Sequence, residues 1–287
     1  METASDLATR LTRASRKKFW DVYNAFTWPE ALVEGMWMMP PELISLYGTP
    51  AWDSLDEAQR LRLSHFELGN FFSLVLQGER PLVQGLVDRL YSKKNSKEIT
   101  EYLHHFVDEE NKHMVMFGEF CHRYIGKVYP EKKISLPREY AKGEEEVAFF
   151  CKVMVVEELG DFYNITIEKD ERIEPMTREL NRVHHIDEAR HLAFGRLYLA
   201  ELFERYRAGW SEEQLAGFRS WLVEYLRASW GDYYNPTVYR DAGLADGYEL
   251  RQMALAHPAT AAFRQRASAK LVSYFVKTGL LAEEPAL

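Results

Sequence analysis

Cysteine is scarce. The 287 residues hold only Cys121 and Cys151, too few for a disulfide framework or a thiolate metal site, so any metal here must be held by histidine and carboxylate. Long apolar runs are missing too. No stretch approaches the roughly 18 uninterrupted apolar residues of a membrane span, and the opening METASDLATR lacks the basic-then-apolar order of a secretory signal. A cytoplasmic location is expected. Positive charge is in short supply, with 36 Lys+Arg against 44 Asp+Glu and a net charge of -8, which leaves no basic footprint for nucleic acid. No glycine-rich dinucleotide fingerprint follows a strand-like run, so the chain is not expected to bind a nicotinamide or flavin.

What is present is a core. Hydrophobic residues make up 46% of the chain and aromatic ones 14%, enough for one large domain over residues 1–287. Glycine and proline gather near Pro40-Pro41, Gly48, Pro50, Pro130, Pro137, Pro175, Gly231 to Pro236 and Pro258. Between them run long segments of period 3.6 with few alternating β-branched stretches, which predicts an all-α fold. The principal helices are expected over 55–92, 98–125, 139–170, 175–206 and 211–230, with shorter ones at 10–26 and 259–277, and the bundle core lies within 55–230. Pro81 falls inside the first long segment and predicts a kink or pause there. In the first helix, Arg10, Arg13, Arg16, Lys17 and Lys18 read as a solvated basic face packed by its aromatic end, Phe19-Trp20. The apolar stretch from Gly35 to Pro41 has no period and suits either a pocket cap or a cover over the bundle end.

Glu and His three residues apart on a helix share a face and can reach one metal. Nine histidines at ordinary glutamate usage predict about one accidental pair. This chain has Glu101/His104, Glu110/His113, Glu119/His122 and Glu188/His191. Helical phase separates them. Glu101 and Glu119 each lie nine residues from Glu110, and nine steps of about 100° put them on the opposite face. Glu110 and His113 share an apolar stripe with Leu103, Phe106, Val107, Met114, Phe117, Cys121 and Tyr124, whereas Glu101, His104, Asp108, Asn111, Lys112, Glu119 and His122 form the face expected to be solvated. His184, Glu188 and His191 likewise align with Leu180, Val183, Gly195 and Tyr198. Inward ionisable groups are costly unless paired or bound to metal.

The intervals between the halves are more telling than the pairs. Glu188 follows Glu110, and His191 follows His113, by 78 residues in each case, and the same offset relates Glu157 to Glu79. A Glu followed 31 residues later by Glu-x-x-His thus occurs twice. That is the pattern of a bundle holding two metals, with one Glu from each of two helices and Glu-x-x-His from each of the other two. Equal spacing and the stripe Phe150, Val153, Met154, Glu157, Asp161, Asn164 favour Glu157 over the adjacent Glu158. At the same offset His184 corresponds to Phe106, so one half offers an extra imidazole where the other has only a ring.

The run Val156-Glu157-Glu158, through Arg172-Ile173-Glu174-Pro175, to His184-His185-Ile186-Asp187-Glu188-Ala189-Arg190-His191 resembles the p-aminobenzoate N-oxygenase family of ferritin-like di-iron proteins. Tyr47-Gly48-Thr49-Pro50 and Tyr234-Asn235-Pro236 are similar to it as well. The resemblance implies a ferritin-like helical bundle with flanking helices. It also implies two irons on Glu79, Glu110, His113, Glu157, His184, Glu188 and His191, with O2 as co-substrate. The implied reaction is oxidation of the amine nitrogen of an aromatic or amino-acid-derived small molecule, through hydroxylamine toward nitroso or nitro. Hydroxylation or desaturation at carbon is the competing reaction on the same core, and a ferritin-type iron store is the competing non-enzymatic role. Partners expected are an external electron donor, a reductase or ferredoxin, and a second copy of the chain as a homodimer.

The phase argument has a direct check. Glu110→Ala and Glu188→Ala should lose most bound metal after anaerobic Fe(II) loading, measured by elemental analysis, while Glu101→Ala and Glu119→Ala retain it. Equal losses in all four would refute the assignment of faces.

Overall fold

Helix starts coincide with residues whose side chains occupy free backbone N–H groups. Thr3, Asp56, Ser96 and Ser211 each accept from the amide three residues on, and Glu174 does the same for Thr177 with Pro175 at the first helical position. The computed structural model describes residues 2–130, 134 and 136–287. In chain order the helices are α1 (Ala4–Lys17), α2 (Pro50–Asp53), α3 (Glu57–Arg89), α4 (Lys97–Phe120), α5 (Glu144–Lys169), α6 (Pro175–Arg207), α7 (Glu212–Tyr233), α8 (Pro236–Asp241), α9 (Gly247–Ala256) and α10 (Pro258–Lys277). No strand occurs among the described residues, and none of their helices is long and apolar enough to cross a membrane. The all-α expectation holds.

Short loops join α3 to α4 and α5 to α6, and a long crossover from Gly126 to Gly143 joins the two pairs. This is the ferritin-like arrangement of a four-helix bundle with one long connection. The crossover begins where α4 widens over Cys121–Ile125 and closes with Gly126 N–H donating to the Cys121 carbonyl at 2.8 Å. Gly126 has φ +81°, a conformation that favours glycine. Around the bundle, α1 packs on α4 and α6, α7 on α3 and α5, and α10 on α5. Inside it, Phe72 of α3 meets Phe117 and Phe120 of α4 at centroid distances of 4.3 and 4.9 Å.

Several expectations are corrected. The first helix runs over Ala4–Lys17 rather than 10–26, because the Thr3/Asp6 capping box starts it early and the chain leaves the helix so that Trp20 can turn inward. Its polarity was read correctly: Leu7, Ala8 and Leu11 are buried, while Arg10, Arg13, Arg16 and Lys17 are exposed. The helix expected from 139 begins at Glu144, after Gly143 with φ +77°. α3 runs through Pro81 without a pause. The short helices α8 and α9 were not anticipated. Lys112 is buried rather than solvated, its Nζ 4.1 Å from the Phe19 ring centroid and 2.5 Å from Asp108 Oδ2. The segment from Gly35 to Pro41 covers the bundle end: Met38 N–H donates to Ser64 Oγ at 3.2 Å, and Glu174 N–H donates to the Trp37 carbonyl at 2.9 Å.

The α3–α4 aromatic contact supports the helices that carry two of the inward glutamates. Phe72→Ala should lower unfolding free energy by about 3–5 kcal/mol, read by urea denaturation. A loss below about 1 kcal/mol would show that this contact is not a principal part of the core.

Candidate metal centre

Glu79 on α3, Glu110 and His113 on α4, Glu157 on α5, and His184, Glu188 and His191 on α6 meet at the centre of the bundle. All are at most 4% exposed. Two groups form: Glu79, His113, His184 and Glu188 in one, and Glu110, Glu157, Glu188 and His191 in the other. Within each group one potential ligand atom per residue lies within 4.8 Å of the rest. Glu188 belongs to both. The structure thus brings together all seven residues singled out in the sequence, and Glu157 rather than Glu158 faces the cluster. Glu158 turns away to ion-pair with Arg196 and Lys270.

Helical spacing explains the register. The two Glu-x-x-His pairs place His113 Nδ1 3.3 Å from Glu110 Oε2, and His191 Nδ1 3.3 Å from Glu188 Oε2. Across the bundle, His113 Nδ1 lies 3.4 Å from Glu188 Oε1, and His191 Nδ1 lies 2.7 Å from Glu110 Oε1. Both imidazoles therefore turn Nδ1 inward and Nε2 outward.

Each outward nitrogen meets a carboxylate that the ligand search in the sequence did not include. His113 Nε2 is 3.3 Å from Asp187 Oδ2 on α6, and His191 Nε2 is 2.9 Å from Glu109 Oε2 on α4. Arg190 donates to both carboxylates, at 2.6 Å to Glu109 and also to Asp187, and Trp20 Nε1–H donates to Asp187 Oδ2 at 2.9 Å. A signal for the pair was present. Asp187 follows Glu109 by the same 78 residues, so each Glu-x-x-His is directly preceded by an acid. The offset also accounts for Phe106, which stacks on His191 at 3.9 Å between centroids, while its counterpart His184 sits edge-on to His113 at 4.4 Å.

Electrostatics mark the cluster as short of positive charge. Burial, and then the charge of Glu110, raise the Glu79 carboxyl well above the usual range. Burial also raises Glu188. The same penalty opposes ionisation of Glu110, but His191 and His113 outweigh it and hold that carboxyl low. Burial likewise opposes a proton on His113, yet Asp187 and Glu110 raise its pKa well above the ordinary value, and Glu188 and Glu110 do so for His191. His184 differs: burial, then the neighbouring His113, push it well below the ordinary value, which disfavours its protonated form.

Hydrogen bonding is incomplete where the groups converge. Both Glu79 oxygens, one oxygen each of Glu110, Glu157 and Glu188, and His184 Nε2 have no hydrogen-bond partner. Unpaired buried groups cost roughly 1–3 kcal/mol each. Here they point at one another across the two groups. Carboxylate and imidazole atoms so placed suit divalent iron or manganese, so the residues present fit two such ions.

The chain is similar to several known proteins. The model of a family described as P-aminobenzoate N-oxygenase AurF matches residues 1–279. The uncharacterized proteins Rv0885 of Mycobacterium tuberculosis and Mb0909 of Mycobacterium bovis are each 24% identical over 215 residues, covering 70% of this chain and 62% of the relative. The match thus spans less than two thirds of those relatives' length. Among solved structures, a variant of an R2-like ligand-binding oxidase with an anaerobically reconstituted Mn/Fe cofactor has a TM-score of 0.45 at 14% identity, covering 91% of this chain and 92% of that one. The R2-like ligand-binding oxidase without metal cofactor has a TM-score of 0.41 at 14% identity, covering 91% and 96%.

The outward carboxylates orient the imidazoles, and such partners are typically worth about 10–100-fold in metal affinity. Glu109→Gln and Asp187→Asn should each weaken Fe(II) or Mn(II) binding by about that factor, measured by competition with a chelator. Unchanged affinity in both would mean that neither carboxylate tunes the centre.

Proposed function

The chain belongs to the p-aminobenzoate N-oxygenase family, and from that membership and the cluster's geometry we propose that it is a non-haem di-iron oxygenase acting on the amine nitrogen of a small molecule. The observation that carries the metal reading is the convergence of seven buried side chains, five of which turn an atom without a hydrogen-bond partner into the cluster. Charge supports it. Glu109 and Asp187 share Arg190, which leaves Glu79, Glu110, Glu157 and Glu188 without a matching cation beyond the imidazoles. Two divalent ions cancel four carboxylates.

In this reading Glu79, His113 and His184 would hold one ion and Glu110, Glu157 and His191 the other, with Glu188 available to both. Two ferrous ions held there would supply two electrons to O2, and an external reductase or ferredoxin would replenish them. The chain's own contribution is placement and shielding. Asp187 and Glu109 keep the outer nitrogens of His113 and His191 occupied, so the inner ones remain directed at the cluster. Asn164 does this for His184. Its Nδ2 lies 2.7 Å from His184 Nδ1, and turning the amide over, which keeps its outline, puts the oxygen at that position. With the amide oxygen presented to Nδ1–H, the Nε2 lone pair is left facing Glu79 Oε1 at 3.4 Å and Glu188 Oε1 at 2.9 Å. That orientation also gives the otherwise unpaired Asn164 oxygen a partner.

Anaerobic Fe(II) loading should give about two irons per chain, and single-turnover trials of candidate amines with O2 should add oxygen at nitrogen, read by product mass and fragmentation. Iron near zero after loading would refute the metal centre. Oxygen found only at carbon would refute N-oxygenation. His184→Ala should keep both irons while losing most amine oxidation, with His185→Ala as the control for helix damage; wild-type oxidation by His184→Ala would show that the third imidazole is dispensable.

A further inference from the structure

The two sides of the cluster differ in access. On the imidazole side, Asp187, Glu109, Arg190 and Trp20 fill the space between α4, α6 and the chain beyond α1. On the side of Glu79 and Glu157 a cavity of about 530 Å³ lies between α3, α5 and α7. Val75 and Leu82, about one turn either side of Glu79, line it, and so does Val153, one turn before Glu157. α3 and α5 touch beside it: a Cβ on Gly78 would lie 2.9 Å from Val156 Cγ1. The glycine lets the helices meet there, and the open volume lies outboard of that contact, under α7.

Among the described residues the lining is aliphatic and aromatic apart from Gln77, Lys152, Ser229 and Asp232. The Lys152 Nζ sits 5.7 Å from the Trp221 ring centroid and 5.8 Å from that of Tyr225, and the carboxylate whose charge acts on it is Glu145, earlier on α5. Asp232, also in the lining, has interactions of its own. Lys152 lies five residues, about 7.5 Å of helix axis, before Glu157. The cavity therefore borders residues next to and one turn from Glu79 and Glu157, although neither glutamate is in its lining, and it holds a half-buried ammonium on α5. Cavities of about 300–1,000 Å³ typically enclose drug-sized ligands, and a lone aminobenzoate ring falls well short of filling this one.

We propose that this cavity is the substrate site and that it takes an elongated apolar amine, larger than a single ring, whose anionic end pairs with Lys152 while the amine lies toward Glu79 and Glu157. The proposal rests on the di-iron oxygenase reading for the role of the amine end. Size and charge are separable properties, so three probes test them: 4-aminobenzoate, 4'-aminobiphenyl-4-carboxylate and the neutral carboxamide of the latter. Binding to the Fe(II)-loaded chain under argon is followed by calorimetry, with iron content and thermal midpoint recorded on the same samples.

The two-ring acid should bind at least about tenfold more tightly than 4-aminobenzoate, and Lys152→Met should weaken the acid by about tenfold while leaving the carboxamide within about twofold. Ser229→Phe, which fills the cavity from α7 away from the metal residues, should weaken the two-ring acid more than the one-ring acid. Tighter or equal binding of 4-aminobenzoate, equal effects of Lys152→Met on acid and carboxamide, or no binding of any probe would overturn the proposal. Iron content separates the two readings. A sample without iron that binds the two-ring acid in this pattern refutes the metal centre and keeps the cavity, and an iron-loaded sample that binds no probe does the reverse.

Discussion

Ionised carboxylates cannot be enclosed by a helical bundle unless positive charge is enclosed with them. Each of Glu79, Glu110, Glu157 and Glu188 is at most 4% exposed, and together they bring the long helices α3 to α6 to one point. Much of the surrounding structure answers that requirement. Three imidazoles stand among the carboxylates, two of them pulled toward the protonated state by their neighbours. Arg190 is shared by the outer pair, Glu109 and Asp187, and none of the inner four carboxylates is paired with it.

The two halves meet this requirement in nearly the same way. Glu109 on α4 orients His191 on α6, and Asp187 on α6 orients His113 on α4, so each half supplies the support for the other half's imidazole. Crossed support of this kind ties metal affinity to the packing of α4 against α6. Symmetry breaks at one pair. Phe106 stacks on His191 with no ligand atom to offer, whereas His184 brings a nitrogen to the group containing Glu79. The two groups of potential ligands are therefore unequal, with the extra imidazole on one side only.

Access is unequal as well. The imidazole side is filled by hydrogen-bonded groups that hold the rings in place, and disturbing them would disturb the centre. The Glu79 and Glu157 side borders aliphatic side chains and open volume, which can be reshaped without touching a hydrogen bond to the cluster.

The sequence by itself determined the helices and the direction in which their glutamates and histidines point, because both follow from local hydrogen bonding and a rotation of about 100° per residue. That is why Glu110 could be separated from Glu101 and Glu119, and why the repeated 78-residue offset picked out Glu79 and Glu157. Tertiary structure decided what lies between segments. Lys112 is buried because Phe19 and Trp20 fold over it, and no local pattern in α4 contains them. Asn164 meets His184 from another helix, and the cavity beside Glu79 has walls from α3, α5 and α7. Glu109 and Asp187 stand between the two cases. Their spacing was legible, but their role depends on which helix packs opposite, and that is fixed by the burial of side chains far apart in the chain.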